Sequence, residues 1–123
     1  MKHAKTGASR GSFDLLLATR SAQAAKMTLR AGGASDVKPS NEHPHSEQWL
    51  FVVEGVGEAT IGKRGGKQRR VKLAPHSLLL IEKGELHQIR NTGDRALATI
   101  NFYVPPAYDK NGDPRPTRKQ SET

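Results

Sequence analysis

Residues 41–62 read NEHPHSEQWLFVVEGVGEATIG. Within this stretch an apolar run, QWLFVV at 48–53, is followed by the turn EGVG and a second run, GEATIG at 57–62. The same rhythm continues on both sides. Upstream lie FDLLLAT (13–19) and AAKMTLR (24–30); downstream lie RRVKL (69–73), SLLLIE (77–82), HQIRN (87–91) and ALATINFYV (96–104). The separators AGGASDVKPSN, KRGGK, APH, KGEL and TGDR are rich in Gly, Pro, Asp, Asn and Ser, each of which promotes turns by its own mechanism. Eight short strands spaced by about 8–12 residues, with no long 3.6-residue period, predict an all-β sandwich or barrel. The one competitor is a helix across 13–30, where Leu and Ala dominate and β-branched residues are few.

Several runs, notably LLLA, WLFVV and LLLI, are apolar at consecutive positions, so both faces of those strands need cover. In a small all-β protein a second subunit is the natural cover, and a homodimer is expected; a covering N-terminal arm is the alternative. Trp49 and Phe51 share one strand face and are expected in the core or at the dimer contact. The chain divides into an N-terminal arm at 1–12, a barrel domain at 13–104 and a polar, Pro-rich tail at 105–123.

Composition narrows the function classes. Of 123 residues 34% are apolar and 5% aromatic, so the core must be economical, yet a chain of this length still buries roughly two-thirds of its unfolded surface. There is no cysteine, which excludes a disulfide framework, a thiolate metal site and a cysteine nucleophile. No run is long enough to span a membrane, and MKHAKTGASRGS lacks the apolar segment of a secretory signal, so the expected location is the cytoplasm. Lys and Arg outnumber Asp and Glu by 20 to 12, a net charge of +8. Six of those cations fall in KRGGKQRRVK (63–72), a hairpin in which Gly65-Gly66 supplies the positive φ angles of the turn. The hairpin lacks the interleaved aromatics of a base-stacking surface, so nucleic acid is not an expected partner. The acid-rich DKNGD at 109–113 begins like a calcium loop but has Pro114 at the sixth position and Gln120 at the twelfth.

His43-Pro44-His45 precedes one strand and His87 opens another. Two histidines at i and i+2 in extended chain point to the same face, and a third imidazole from a neighbouring strand makes a three-nitrogen site of the kind transition metals accept. His76 follows Ala74-Pro75 in a surface turn, and His3 lies in the arm.

The surroundings of these histidines carry a family likeness. NEHPHSEQWLFVVEGVGEATIG resembles the first motif of the cupin superfamily, in which HxH is followed by Glu and then Gly. APHSLLLIEKGELHQIRN (74–91) resembles the second motif, with Gly84, His87 and Asn91 at its intervals and Glu82 where proline is usual. The resemblance implies a double-stranded β-helix of two antiparallel sheets, a small single-domain cupin, with a metal site in the barrel mouth. It departs from the pattern at the carboxylate: seven positions before the closing Gly55, with six residues between them, stands Gln48, not Glu. Counting back from there gives Asn41 and His43 as the first pair; with a shorter loop the pair is His43 and His45, followed by Gln48 or Glu47. His43 and His87 belong to both alignments. The implied metal set is therefore His43, His87, Gln48 and His45. Asn41, Glu47 and Tyr103 are candidate substrate contacts, Tyr103 because it shares a strand face with Asn101 near the mouth.

Nitrogen ligands favour Fe, Ni, Cu or Zn over Mg or Ca, and the expected cofactor is one divalent transition metal, Fe, Ni, Zn, Mn or Cu. A neutral Gln oxygen in place of carboxylate leaves the ion its full charge and makes it a stronger Lewis acid. The family's chemistries are dioxygenation, isomerisation and lyase reactions on small anionic or hydroxylated molecules. The alternative is a non-catalytic cupin that binds or senses a small molecule through a degenerate site.

Overall fold

The computed structural model describes residues 1–8 and 11–115; the expectation for the tail beyond Arg115 lies outside the described residues. After a short 3-10 turn at Thr6–Ala8 come eight strands: β1 (Phe13–Ala18), β2 (Gln23–Leu29), β3 (Glu47–Glu54), β4 (Gly57–Gly62), β5 (Gln68–Leu73), β6 (Leu78–Ile81), β7 (Leu86–Asn91) and β8 (Leu97–Val104). Each lies within one residue of the run that predicted it. The helical alternative for 13–30 gives way to a β1–β2 hairpin, because pairing β2 against β8 carries Ala25 and Leu29 inward. No helix among the described residues is long and apolar enough to cross a membrane.

All strand pairs are antiparallel and form two sheets, β1-β2-β8-β3-β6 and β5-β4-β7. Period-2 alternation turns Leu50 and Val52 of β3, Ala59 of β4, Leu73 of β5, Ile89 of β7 and Leu97 of β8 into one core between the sheets. The outward face of the larger sheet is different. There Trp49 is paired with Leu80 on one side and Phe102 on the other, and all three are more than a third exposed.

The sheet edges are treated in two ways. At β5, residues Gln68–Lys72 are exposed, and their cations blunt the edge against further pairing. At β7, residues 33–40 run alongside as an irregular extra strand: Asn91 N donates to Gly33 O, Ser35 N to Ile89 O, and Ser40 and His87 exchange both backbone hydrogen bonds at 3.1 and 2.9 Å. The β4–β5 turn needs only one left-handed glycine, Gly65 at φ +74°; Gly66, expected to share that role, has an ordinary φ and donates its N–H to Lys63 O.

Polar composition conceals the packing of residues 105–115. Ala107 and Tyr108 are buried in a second cluster with Ala25 and Tyr103. Gln23 clamps them: its Oε1 accepts the N–H groups of Ala107 and Tyr108, and its Nε2 donates to Tyr108 O at 2.9 Å.

Gly55 closes β3 at φ +88°, and a Cβ there would stand 2.4 Å from Ala96 O and 2.7 Å from Leu97 Cα. Gly84 has a similar φ of +82° but open space around it. Gly55→Ala is therefore expected to cost more than about 2 kcal/mol, combining left-handed strain with a backbone clash, and Gly84→Ala only about 1 kcal/mol. Urea unfolding of the two variants measures the difference.

Candidate functional site

The strip laid along β7 decides where the first histidine motif goes. After Ser40 is pinned to His87, the chain turns at 43–46, with Ser46 N donating to His43 O at 3.0 Å, before β3 starts. His43-Pro44-His45 is thus a turn and not extended chain, and the same-face rule for i and i+2 does not apply to it. His43 goes inward and is 5% exposed; His45 stands out in solvent.

His43, Gln48 of β3, His87 of β7 and Tyr103 of β8 line one cavity of about 370 Å³, with Tyr108 and Glu42 also in its wall. The His43 and His87 rings lie 5.0 Å apart between centroids, and Tyr103 meets His43 edge-on at 5.0 Å. The apolar part of the wall comes from Phe13, Met27, Leu29 and Ile89.

Of the other expected site residues, Asn41 is a loop staple. Its Oδ1 accepts His43 N–H at 2.8 Å and its Nδ2 donates to Glu85 O at 2.9 Å. Glu47 is on the strand face opposite Gln48, where its Oε1 accepts the Trp49 indole N–H. Neither lines the cavity. His76 sits exposed in its turn at φ +76°, stacked on Phe51. Asn91 of the second motif is a clamp: its Nδ2 donates to Leu29 O and Arg95 O, while its Oδ1 accepts Gly93 N–H.

Two wall residues escaped the sequence reading. Tyr108 donates its hydroxyl hydrogen bond to Glu42 Oε1 at 2.6 Å, linking the C-terminal segment to the histidine loop. Within a polar stretch, PPAY was the one signal that residues near 108 pack; nothing around Glu42 distinguishes it from a solvated loop acid.

Burial sets the protonation of the site. It depresses the His43 imidazole, and together with the neighbouring His43 it lowers His87 to about 4. Both rings are neutral near pH 7 and offer lone pairs. Burial likewise pushes Tyr103 upward, and Tyr108 too, aided by Tyr103 and the Glu42 carboxylate, so both phenols keep their protons.

His43 Nδ1 and Gln48 Oε1 are buried without any hydrogen-bond partner. Leaving such atoms unpaired costs about 1–3 kcal/mol each, so both call for a partner from within the cavity, a water, an ion or a ligand atom. His87 Nδ1 lies 3.3 Å from Glu85 O, a contact in which the N–H donates and leaves Nε2 free. Two neutral imidazoles and an amide oxygen fit a transition-metal ion as three of its ligands. Among the described residues no group of three or more His, Asp or Glu side chains is arranged to hold a metal, so the fit depends on Gln48.

Over residues 25–103 the chain matches the protein family described as "Cupin domain". Among solved structures, BH2720 from Bacillus halodurans is 28% identical with a TM-score of 0.76, over 85% of this chain and 77% of that one. The capsular polysaccharide assembling protein CapF from Staphylococcus aureus is 23% identical with a TM-score of 0.70. That match takes in 86% of this chain but 29% of CapF, so the chain spans less than a third of it. An oxalate decarboxylase from Lactobacillus farciminis, in complex with formate, is 23% identical at a TM-score of 0.65, over 73% of this chain and 26% of that one. These last two share the fold alone. No curated protein sequence matches the chain.

A depressed His87 makes stability depend on acid. Well above pH 6.5 the imidazole is neutral in both folded and unfolded chains. As pH falls from there through about 4, the unfolded chain binds a proton that the folded one refuses, and stability is lost. At about pH 5 the loss is on the order of 2 kcal/mol. Urea unfolding of the metal-free protein at about pH 7 and pH 5 is expected to show it, and His87→Gln to reduce it. An equal acid loss in the variant would place the effect elsewhere.

Proposed function

The chain belongs to the cupin family, and from that premise we propose that it holds one divalent transition metal at His43, His87 and Gln48 and uses it to bind and transform a small hydroxylated or anionic molecule. The observation that carries the reading is the pair of buried polar atoms without a hydrogen-bond partner, His43 Nδ1 and Gln48 Oε1, in the wall of the cavity that also receives His87. When bound, the metal supplies Lewis acidity toward a ligand oxygen. The chain's own residues supply the rest. Apolar Phe13, Met27 and Leu29 exclude water from one wall, and the Tyr103 ring, packed at 70° to His43, limits its tilt. Glu42, the one carboxylate of the wall, is positioned by the Tyr108 hydroxyl to accept a proton from a bound hydroxyl group.

No Lys or Arg belongs to the described cavity wall, and both imidazoles are neutral. Any positive charge that holds an anion in the cavity must therefore come from the metal, with the protonated Tyr103 phenol adding at most a hydrogen bond, whereas a hydroxylated neutral molecule also finds acceptors in the protein. This favours the hydroxylated class. One structural neighbour is an oxalate decarboxylase in complex with formate, but at that identity it informs the fold and not the substrate.

Titration of the chelator-treated protein with Co²⁺, Ni²⁺ and Zn²⁺ tests the site. His43→Ala and His87→Ala are each expected to weaken binding at least about tenfold, and His45→Ala to leave it unchanged. Absence of binding by the unmodified protein would remove the metal reading. Ligands that raise the melting temperature equally with and without chelator, and yield no product by mass spectrometry, would favour a binding or sensing role.

We also propose that the exposed apolar face of the larger sheet joins two copies of the chain. Trp49, Leu80 and Phe102 form a continuous strip across β6, β3 and β8, flanked by Val53 and by Leu78 at 65% exposure. Adjoining exposed apolar side chains mark an interaction surface, and an isologous pairing of this strip satisfies both copies. Light scattering at micromolar concentration is expected to give a dimer mass, and Phe102→Glu a monomer. A monomeric unmodified protein would overturn it.

A further inference from the structure

The inward face of β8 carries Leu97, Thr99, Asn101 and Tyr103, and Thr99 and Asn101 are both fully buried. Alternation alone would place apolar residues at 99 and 101, since a buried amide or hydroxyl is costly unless its hydrogen bonds are made. Here they are made, and in one direction. Thr99 Oγ1 aims at Met27 O at 3.5 Å. Asn101 Nδ2 donates to Thr99 Oγ1 at 2.9 Å and reaches the Thr99 carbonyl at 3.4 Å. Asn101 Oδ1 accepts from Gln48 Nε2 at 2.8 Å.

A backbone carbonyl accepts and never donates. Two of them, on Met27 and Thr99, stand at the end of this chain of hydrogen bonds. The Thr99 carbonyl draws the NH₂ of Asn101, which turns Asn101 Oδ1 toward β3. Gln48 can meet that oxygen only with its own NH₂. Its Oε1 is then left on the other side, buried and unpartnered, in the residue that lines the cavity beside His43. An amide that is free in isolation to sit either way round has one orientation here.

We propose that Asn101 and Thr99 are positioning residues whose relay fixes Gln48 with its oxygen as the cavity-facing donor. An NH₂ group in that place would have no lone pair for a metal ion, so the relay makes the third ligand usable. It also makes Gln48 and Asn101 a matched pair, since a carboxylate at 48 would bring an acceptor against Asn101 Oδ1. The consequence for metal affinity rests on the metal reading above; the orientation does not.

The test has two arms. In metal-free protein, NMR of the Gln48 side-chain amide is expected to show slow hydrogen exchange and a through-hydrogen-bond coupling to Asn101. Asn101→Leu is expected to abolish the coupling and to speed exchange, because the Gln48 NH₂ loses its acceptor. Thr99→Val, nearly isosteric, gives a milder acceleration and serves if Asn101→Leu fails to fold. Exchange as fast in the unmodified protein as in the variants would overturn the relay. In the second arm Co²⁺ affinity is measured for Gln48→Leu, Asn101→Leu and the double variant. Each single change is expected to weaken binding about tenfold, with no further loss in the double, because Asn101 acts through Gln48. Additive losses would overturn the positioning role. A protected amide in a protein that binds no Co²⁺ would support the orientation and overturn the metal reading alone.

Discussion

Everything at the cavity depends on the backbone pairing of Ser40 with His87. The connection from Leu29 to Glu47 is long for a compact domain, and a free loop of that length would leave His43 without a fixed position. Instead, residues 33–40 take up the hydrogen bonds of the β7 edge, and two of those bonds land on His87 itself. The residue whose side chain enters the cavity is thereby also the backbone anchor of the loop that carries the second imidazole. Asn41 continues the restraint by tying His43 N–H to the Glu85 carbonyl through one side chain. The separation of the two rings follows from main-chain geometry and not from any contact between them.

Once that loop is fixed, the barrel interior changes character along its length. The register between β3 and β8 pairs Val52 with Thr99, Leu50 with Asn101 and Gln48 with Tyr103. On the opposite sheet Ile89 gives way to His87 in the same direction. At the closed end the side chains are aliphatic and need no partners. Toward the cavity Thr99, Asn101 and Gln48 bond to one another and to backbone carbonyls, which leaves Gln48 Oε1 unpaired. The relay through Thr99 and Asn101 is the clearest case. The Glu42–Tyr108 link does the same at the rim, where Gln23 holds the C-terminal segment in place.

The strands were legible because each is a short apolar run between residues with definite turn chemistry, and that signal is local. His43, Gln48 and His87 were legible as candidates because motif spacing is local too. The partner of His43 was not. Both His45 and Asn41 were plausible on an extended backbone, and the turn at 43–46 sends one to solvent and occupies the other with backbone hydrogen bonds. Glu42 and Tyr108 meet across a long stretch of chain, and no period or spacing links them. The polar face of β8 was visible as a face, with Asn101 and Tyr103 on one side. Which groups those amides would meet depended on a strand register that only tertiary pairing supplies.

Net charge is the property most easily misread in this chain. The excess of +8 suggests attraction to anions, and a cluster of six of the cations lies in the 63–72 hairpin. That hairpin forms and flanks the β5 edge, where exposed Arg69, Arg70 and Lys72 discourage another strand from pairing. Fields between exposed charges fade over about 8–10 Å at ordinary salt, and the described wall of the cavity holds neutral imidazoles, two protonated phenols and one carboxylate. The surface can raise the local concentration of an anion, but inside the cavity the protein offers it no positive partner. Under the proposed function, discrimination there comes from hydrogen bonding to neutral side chains and from the charge a bound metal brings. The basic surface and the cavity are therefore separate features, one protecting a sheet edge and the other carrying the neutral groups on which the proposed function rests.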